Sequence, residues 1–109
     1  MMAVMNKYEN LVAALAKEGS GTMKCSGNSM LPILSNPCTN AYRRQESYEV
    51  GDIVFCKVKG RYIDAHLVTA KAGDRYLISN NHGHNNGWTR TVFGRVVRSA
   101  DRNGAVKAF

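Results

Sequence analysis

Between Met2 and Glu18 the apolar side chains Val4, Tyr8, Leu11, Val12 and Leu15 recur at three- and four-residue steps, which predicts a helix that carries them on one side. Its polar side mixes Lys7, Glu9, Lys17 and Glu18, so it suits packing or docking onto protein better than lying on a membrane surface. Gly19 and Gly21 are expected to end it. From residue 22 onward the pattern changes to short runs of branched and aromatic residues bounded by turn residues. Thr22 to Cys25 reads as a short extended segment. Asp52 to Val58 and Arg61 to Thr69, separated by Lys59-Gly60, read as a β-hairpin. Ala72-Gly73-Asp74 turns the chain, Tyr76 to Ile78 is a further strand, and Val92 to Val97 is the last long one.

Three stretches break this rhythm. Ser35 to Glu49 is polar, with Asn36, Pro37, Asn40 and Arg43-Arg44, and is expected to be an irregular surface loop or substrate-facing flap. Asn80 to Trp88 also reads as a loop, with a turn at Asn86-Gly87 and Trp88 over the core edge. Asn103-Gly104 marks a tight turn in the tail, either a terminal hairpin or a fraying end. The expected architecture is mainly β with one N-terminal helix: residues 1–20 for the helix and 21–109 for a single β domain.

A chain of 109 residues suits one core, since this length buries roughly two thirds of its unfolded surface. The three cysteines, Cys25, Cys38 and Cys56, lack CxxC spacing, which argues against a disulfide framework and a zinc ribbon and fits a cytoplasmic location. The apolar run Leu11 to Ala16 is too short for a membrane span, and no secretory leader pattern is expected in the first residues. A net charge of +7 favours anionic partners or solubility, without base-reading elements that would give sequence-specific nucleic-acid binding.

The stretch Gly27-Asn28-Ser29-Met30-Leu31-Pro32 holds one hydroxyl between a permissive glycine and a stiffening proline. Alone, such a serine is an ordinary turn or cap hydroxyl. Taken with Val50-Gly51-Asp52-Ile53-Val54, a following strand that carries a basic residue, and Gly94-Arg95-Val96-Val97, it resembles the S24/S26 serine peptidases, the superfamily of signal peptidases and LexA-like self-cleaving proteins. The likeness spans roughly residues 22 to 98 and points to a small stand-alone, phage-type member. It implies a LexA/signal peptidase-like β-fold, Ser29 as nucleophile, and a base on the second strand of the hairpin. There Asp64-Ala65-His66-Leu67-Val68 is similar to the His-x-Val pattern of the histidine-type signal peptidases, which assigns His66 in place of the usual lysine. Gly27, Asn28 and Met30 then support the nucleophile, with backbone N–H groups around Asn28 and Ser29 available to an oxyanion.

Elementary chemistry favours His66 too. Histidine titrates near ~6.5 and is largely neutral near pH 7, whereas a lysine near ~10.4 needs strong desolvation before it can act as a base. Lys59 at the hairpin tip and Lys71 in a turn are solvated, and Lys57 lies one strand too early. The group that orients His66 is left open: none, Asp64 on the same strand face, or Asp74. Histidine-type signal peptidases carry Gly-Asp-Asn-Asn where this chain has Gly83-His84-Asn85-Asn86, with histidine replacing the aspartate. His82 and His84 lack a nearby carboxylate or thiol, so neither a metal nor another cofactor is expected.

The expected activity is cleavage of a peptide or protein substrate in trans. Residues 1 to 28 contain neither the Ala-Gly nor the Cys-Gly bond that LexA-like proteins cut, and neither a membrane anchor nor a DNA-binding domain is expected to precede the serine. The alternatives are an inactive peptidase-fold protein that binds a protein partner, through its cleft or its N-terminal helix, and a basic nucleic-acid accessory protein that binds weakly and sequence-blindly.

Overall fold

A capping box opens helix α1 (Lys7–Glu18): the Asn6 side chain accepts the Glu9 N–H at 2.9 Å, while the Glu9 carboxylate accepts the Asn6 N–H at 3.2 Å. The computed structural model describes residues 5–109, so Met2 and Val4 of the expected helix lie outside the described residues. Gly19 closes the helix in the left-handed conformation (φ 78°), returning its N–H to the Leu15 carbonyl at 3.0 Å. Gly21, expected to help end the helix, has a different role. It sits in the first strand, where an added Cβ would come within 2.7 Å of Leu11, so its bareness lets the helix press onto the sheet.

Eight strands follow: β1 (Ser20–Cys25), β2 (Cys38–Arg43), β3 (Ile53–Val58), β4 (Arg61–Ala72), β5 (Arg75–Ser79), β6 (Asn85–Thr89), β7 (Val92–Asp101) and β8 (Val106–Ala108). All pairings are antiparallel, in the order β1-β2-β7-β3-β4-β5-β6. The long β7 pairs with β2 along one edge and with β3 and then β8 along the other. The fold is therefore mainly β with one N-terminal helix, as the residue pattern predicts.

Burial in β3 is continuous rather than alternating, because both faces of the sheet are covered at this strand. Ile53 and Phe55 point into the core beneath α1, with Leu11, Leu15, Tyr42, Ala65 and Val96. Val54, Cys56 and Val58 point the other way, into a second core with Tyr48, Val68, Tyr76 and Ile78. Phe55 joins the first core through aromatic contacts with Phe93 at 4.9 Å and Tyr42 at 5.9 Å between ring centroids.

Two expectations are corrected, and the open alternative at the tail is decided. The region from Ser35 to Glu49 is not wholly irregular: it contains β2, whose Cys38, Asn40 and Tyr42 point inward in strict alternation. Asn40 is fully buried, and its amide is satisfied by the Tyr42 hydroxyl at 3.3 Å and Cys25 Sγ at 3.5 Å. The Asn80 to Trp88 stretch ends in strand β6, and Trp88 is exposed, lying near the Arg75 guanidinium instead of capping the core. At the tail, Asn103-Gly104 makes a hairpin turn that returns β8 onto β7.

Candidate active site

Ser29 lies in the irregular segment between β1 and β2, where side-chain amides replace the missing backbone ladder. Gly27 takes φ 119°, a region open to glycine, and its N–H donates to Asn36 Oδ1 at 2.9 Å. Asn36 also donates through Nδ2 to Asn28 Oδ1 at 2.8 Å, which occupies the amide oxygen of Asn28. After the serine the chain makes one helical turn, with the Leu34 N–H on the Met30 carbonyl at 3.0 Å. Met30 and Leu34 are buried in the core beneath α1 and anchor that turn.

The connection from β5 to β6 clamps this segment from outside. The Asn81 N–H donates to the Ser29 carbonyl, and Asn81 Nδ2 donates to the Leu31 carbonyl, both at 2.9 Å. His82 Nε2 lies 3.1 Å from the Asn28 carbonyl, which can only accept, so this nitrogen carries the proton. Asn80 shapes the clamp by accepting the N–H groups of His82 at 2.8 Å and His84 at 3.0 Å.

His66 comes from β4, held in register opposite Val54 of β3. Its Nε2 is 3.0 Å from Ser29 Oγ, and its Nδ1 is 2.9 Å from Asn86 Oδ1. An amide oxygen accepts and cannot donate, so Nδ1 carries the hydrogen, and in the neutral ring Nε2 presents its lone pair to the serine hydroxyl. Burial lowers the His66 pKa below its ordinary 6.5, against upward pulls from the Asn86 hydrogen bond and the more distant Asp64 carboxylate, while His84 adds a further downward push. Near pH 7 the ring is therefore neutral and able to take a proton.

Ser29 and His66 open onto a cleft of about 290 Å³, with Cys25, Gly27, Met30 and Ala65 among its lining residues. Besides Cys38, another thiol-bearing residue of the lining is Cys25. Burial pushes its thiol up to about 11, and its partner is the Tyr42 hydroxyl at 3.3 Å rather than an imidazole, so it stays protonated and inert. Among the described residues the N–H groups of Asn28 and Ser29 have no hydrogen-bond partner, which leaves them available to an anion.

The structure thus brings Ser29 and His66 together, with Gly27, Asn28 and Met30 around the serine. It does not bring the expected carboxylates to the imidazole. Asp64 lines the cleft but its carboxylate faces Lys7 Nζ at 3.7 Å, and Asp74 is held by Arg90 at 3.0 Å. The group bonded to the imidazole is Asn86, a residue read from sequence as part of a turn and of the Gly83-His84-Asn85-Asn86 stretch, with no role at the imidazole. Lys71 pairs with Glu49 at 3.3 Å and Lys57 lies over the Tyr62 ring, so neither is placed on the serine. His82 supports the loop that carries Ser29, a contact that its sequence neighbours do not announce.

No protein-family model matches the chain, and no curated protein matches it. Among the described residues no helix is long and apolar enough to cross a membrane.

Proposed function

We propose that the chain is a serine peptidase of the signal peptidase/LexA type, with Ser29 as nucleophile, His66 as general base and acid, and Asn86 as the residue that orients the imidazole. The single observation that carries this reading is the continuous relay from Ser29 Oγ to His66 Nε2 at 3.0 Å and from His66 Nδ1 to Asn86 Oδ1 at 2.9 Å. A nucleophile bonded to a base that is itself held by a third group is the recurring arrangement of acyl-transfer enzymes, and an amide in the third position has precedent in cysteine proteases.

In the first step Ser29 Oγ bonds to the scissile carbonyl carbon as its proton passes to His66 Nε2. The carbonyl oxygen becomes an oxyanion within reach of the Asn28 and Ser29 N–H groups. His66 then gives its proton to the leaving amine, the C–N bond breaks, and the acyl group stays on Ser29. Water attacks that ester while His66 takes the water proton, and Ser29 Oγ leaves with the proton returned by His66.

The substrate has a ready docking edge. β4 pairs with β5 only from Leu67 onward, so among the described residues its Arg61–His66 half has no strand on that side, beside the cleft. An extended peptide adding there would present its carbonyl to Ser29. A second reading, a peptide-binding protein without catalysis, is favoured by one observation: Asn86 brings no negative charge to stabilise the imidazolium.

Replacing Ser29 by Ala separates the two. Under the peptidase reading the wild-type chain is phosphonylated at Ser29 by a fluorophosphonate probe and cleaves an unstructured protein substrate, while the variant does neither but still binds peptide. Peptide binding by both proteins, with no labelling and no cleavage by the wild type, would leave the scaffold reading standing instead.

A further inference from the structure

A second groove, of about 350 Å³, adjoins the cleft that holds Ser29 and His66. Its lining includes Lys59, Arg61 and His84 together with Asn86, the residue that orients His66. Tyr62 and Ile63 belong to both grooves and form the wall between them. Lys57 reaches the same corner from β3, its Nζ 4.7 Å from the centre of the Tyr62 ring. The tip of the β3–β4 hairpin therefore gathers Lys57, Lys59 and Arg61 next to the catalytic relay.

Among the described residues none of these cations is in an ion pair. Among the described residues the ion pairs are Lys7 with Asp64, Lys71 with Glu49, and Arg90 with Asp74, and none involves the hairpin tip. Asp64, the acidic residue on the shared strand, has its carboxylate toward Lys7. The tip is also rigidly built, because Lys59 (φ 51°) and Gly60 (φ 80°) form a tight left-handed turn and Thr89 Oγ1 donates to the Lys57 carbonyl. A concave site with several like charges and no partner focuses potential on an incoming ligand of the opposite sign.

We propose that this groove is the subsite for an acidic flank of the peptide substrate, so that the preferred substrates carry Asp or Glu a few residues from the scissile bond. The inference rests on the peptidase reading for the location of that bond. A chain bound over Ser29 and leaving on the His66–Asn86 side passes the hairpin tip, where carboxylates meet the ammonium and guanidinium groups. An extended peptide advances ~3.3 Å per residue, so acidic residues two to four places away can reach the tip. A polynucleotide is the less apt occupant, because the groove is short and the one aromatic ring on its wall, Tyr62, is already taken up in stacking on Tyr8 at 5.2 Å.

The test uses three labelled peptides of identical central sequence with Glu-Glu, Gln-Gln or Lys-Lys in the flank. Their binding to the Ser29→Ala protein is followed by fluorescence anisotropy, a readout that needs no catalysis. The Glu-Glu peptide is expected to bind about five- to tenfold more tightly than Gln-Gln, with Lys-Lys weakest, and the difference should shrink in 0.5 M salt, a concentration of about that order leaving little long-range attraction. The double variant K59E/R61E on the same background should reverse the order. Equal binding of the three peptides, or an order unchanged by the reversal, overturns the proposal, as does a single-stranded oligonucleotide that outcompetes the Glu-Glu peptide at this site. Fluorophosphonate labelling of the wild-type protein reports on the peptidase reading independently, so failure of either idea can be told from failure of the other.

Discussion

The two halves of the proposed catalytic pair are held by different physics. His66 stands in the middle of a long strand, fixed by the β3–β4 register and by the buried neighbour Ala65. Ser29 stands in a segment with no ladder at all, fixed by amide side chains of Asn36 and Asn81, by His82, and by the two apolar anchors Met30 and Leu34. A strand spreads its positioning over many cooperative bonds, so single substitutions move it little. A loop pinned by a few side chains gives up its geometry one bond at a time. The base should therefore be robust in place and tuned by its environment, whereas the nucleophile should be vulnerable in place.

The sharpest way to test the first half is Asn86. Asn86→Ala leaves the strand that carries His66 intact but removes the acceptor that fixes its tautomer, and kcat is expected to fall on the order of 10²-fold with little change in Tm. Asn86→Asp retains an acceptor and adds a negative charge. Because burial holds the His66 pKa below 6.5 in the native protein, kcat/KM should reach half its plateau below pH 6.5. The aspartate should move that midpoint upward by roughly one pH unit, because it stabilises the imidazolium. The folding linkage has the same sign: the His66 contribution to stability is present above 6.5 and is lost as pH falls below it, since the unfolded chain then takes up a proton that the buried ring resists. A pH–rate profile with an unmoved midpoint in Asn86→Asp would show that His66 is not the titrating base.

This contrast also explains what could be read from the residue pattern. Strand β4 and the hairpin that presents His66 are written in local branched and aromatic runs with a turn between them, and helix α1 in three- and four-residue apolar steps. Ser29 stands out through its neighbours Gly27, Met30 and Pro32. The buried strand β2 is hidden because its inward positions include Asn40, a residue whose burial makes sense only once Cys25 and Tyr42 are seen beside it. Asn86 is hidden for a different reason. It is 20 residues from His66, and the pair meets only because β5 and β6 double back, a long-range consequence that no local period encodes.

The nucleophile side is tested next by Asn81→Ala. The backbone bond from the residue 81 N–H to the Ser29 carbonyl survives, but the side-chain bond to the Leu31 carbonyl at 2.9 Å is lost. One such bond contributes ~1 kcal/mol, so Tm should fall by no more than about 5 °C. The loss in kcat/KM should be larger in proportion, about tenfold, because a small displacement of Ser29 Oγ spoils its alignment with His66. Hydrogen exchange should quicken in residues 26 to 37 and stay unchanged in β4. Equal acceleration in both would mean that loop and strand move as one unit, contrary to the comparison.

Asn36→Ala gives the smallest expected effect and sets its lower bound. Asn36 is exposed and joins the Gly27 N–H to the Asn28 side chain, so both groups can turn to water when it is removed. The cost in stability should stay within about 0.5 kcal/mol, as for most surface changes. What the substitution loosens is the approach to the serine at Gly27, whose φ of 119° is then held by the chain alone. A two- to threefold decrease in kcat/KM is expected, from ~0.5 kcal/mol of lost positioning, with labelling by fluorophosphonate slowed in the same ratio. A decrease as large as that of Asn81→Ala would place the control of Ser29 on its own loop, rather than on the clamp that the β5–β6 connection closes over it.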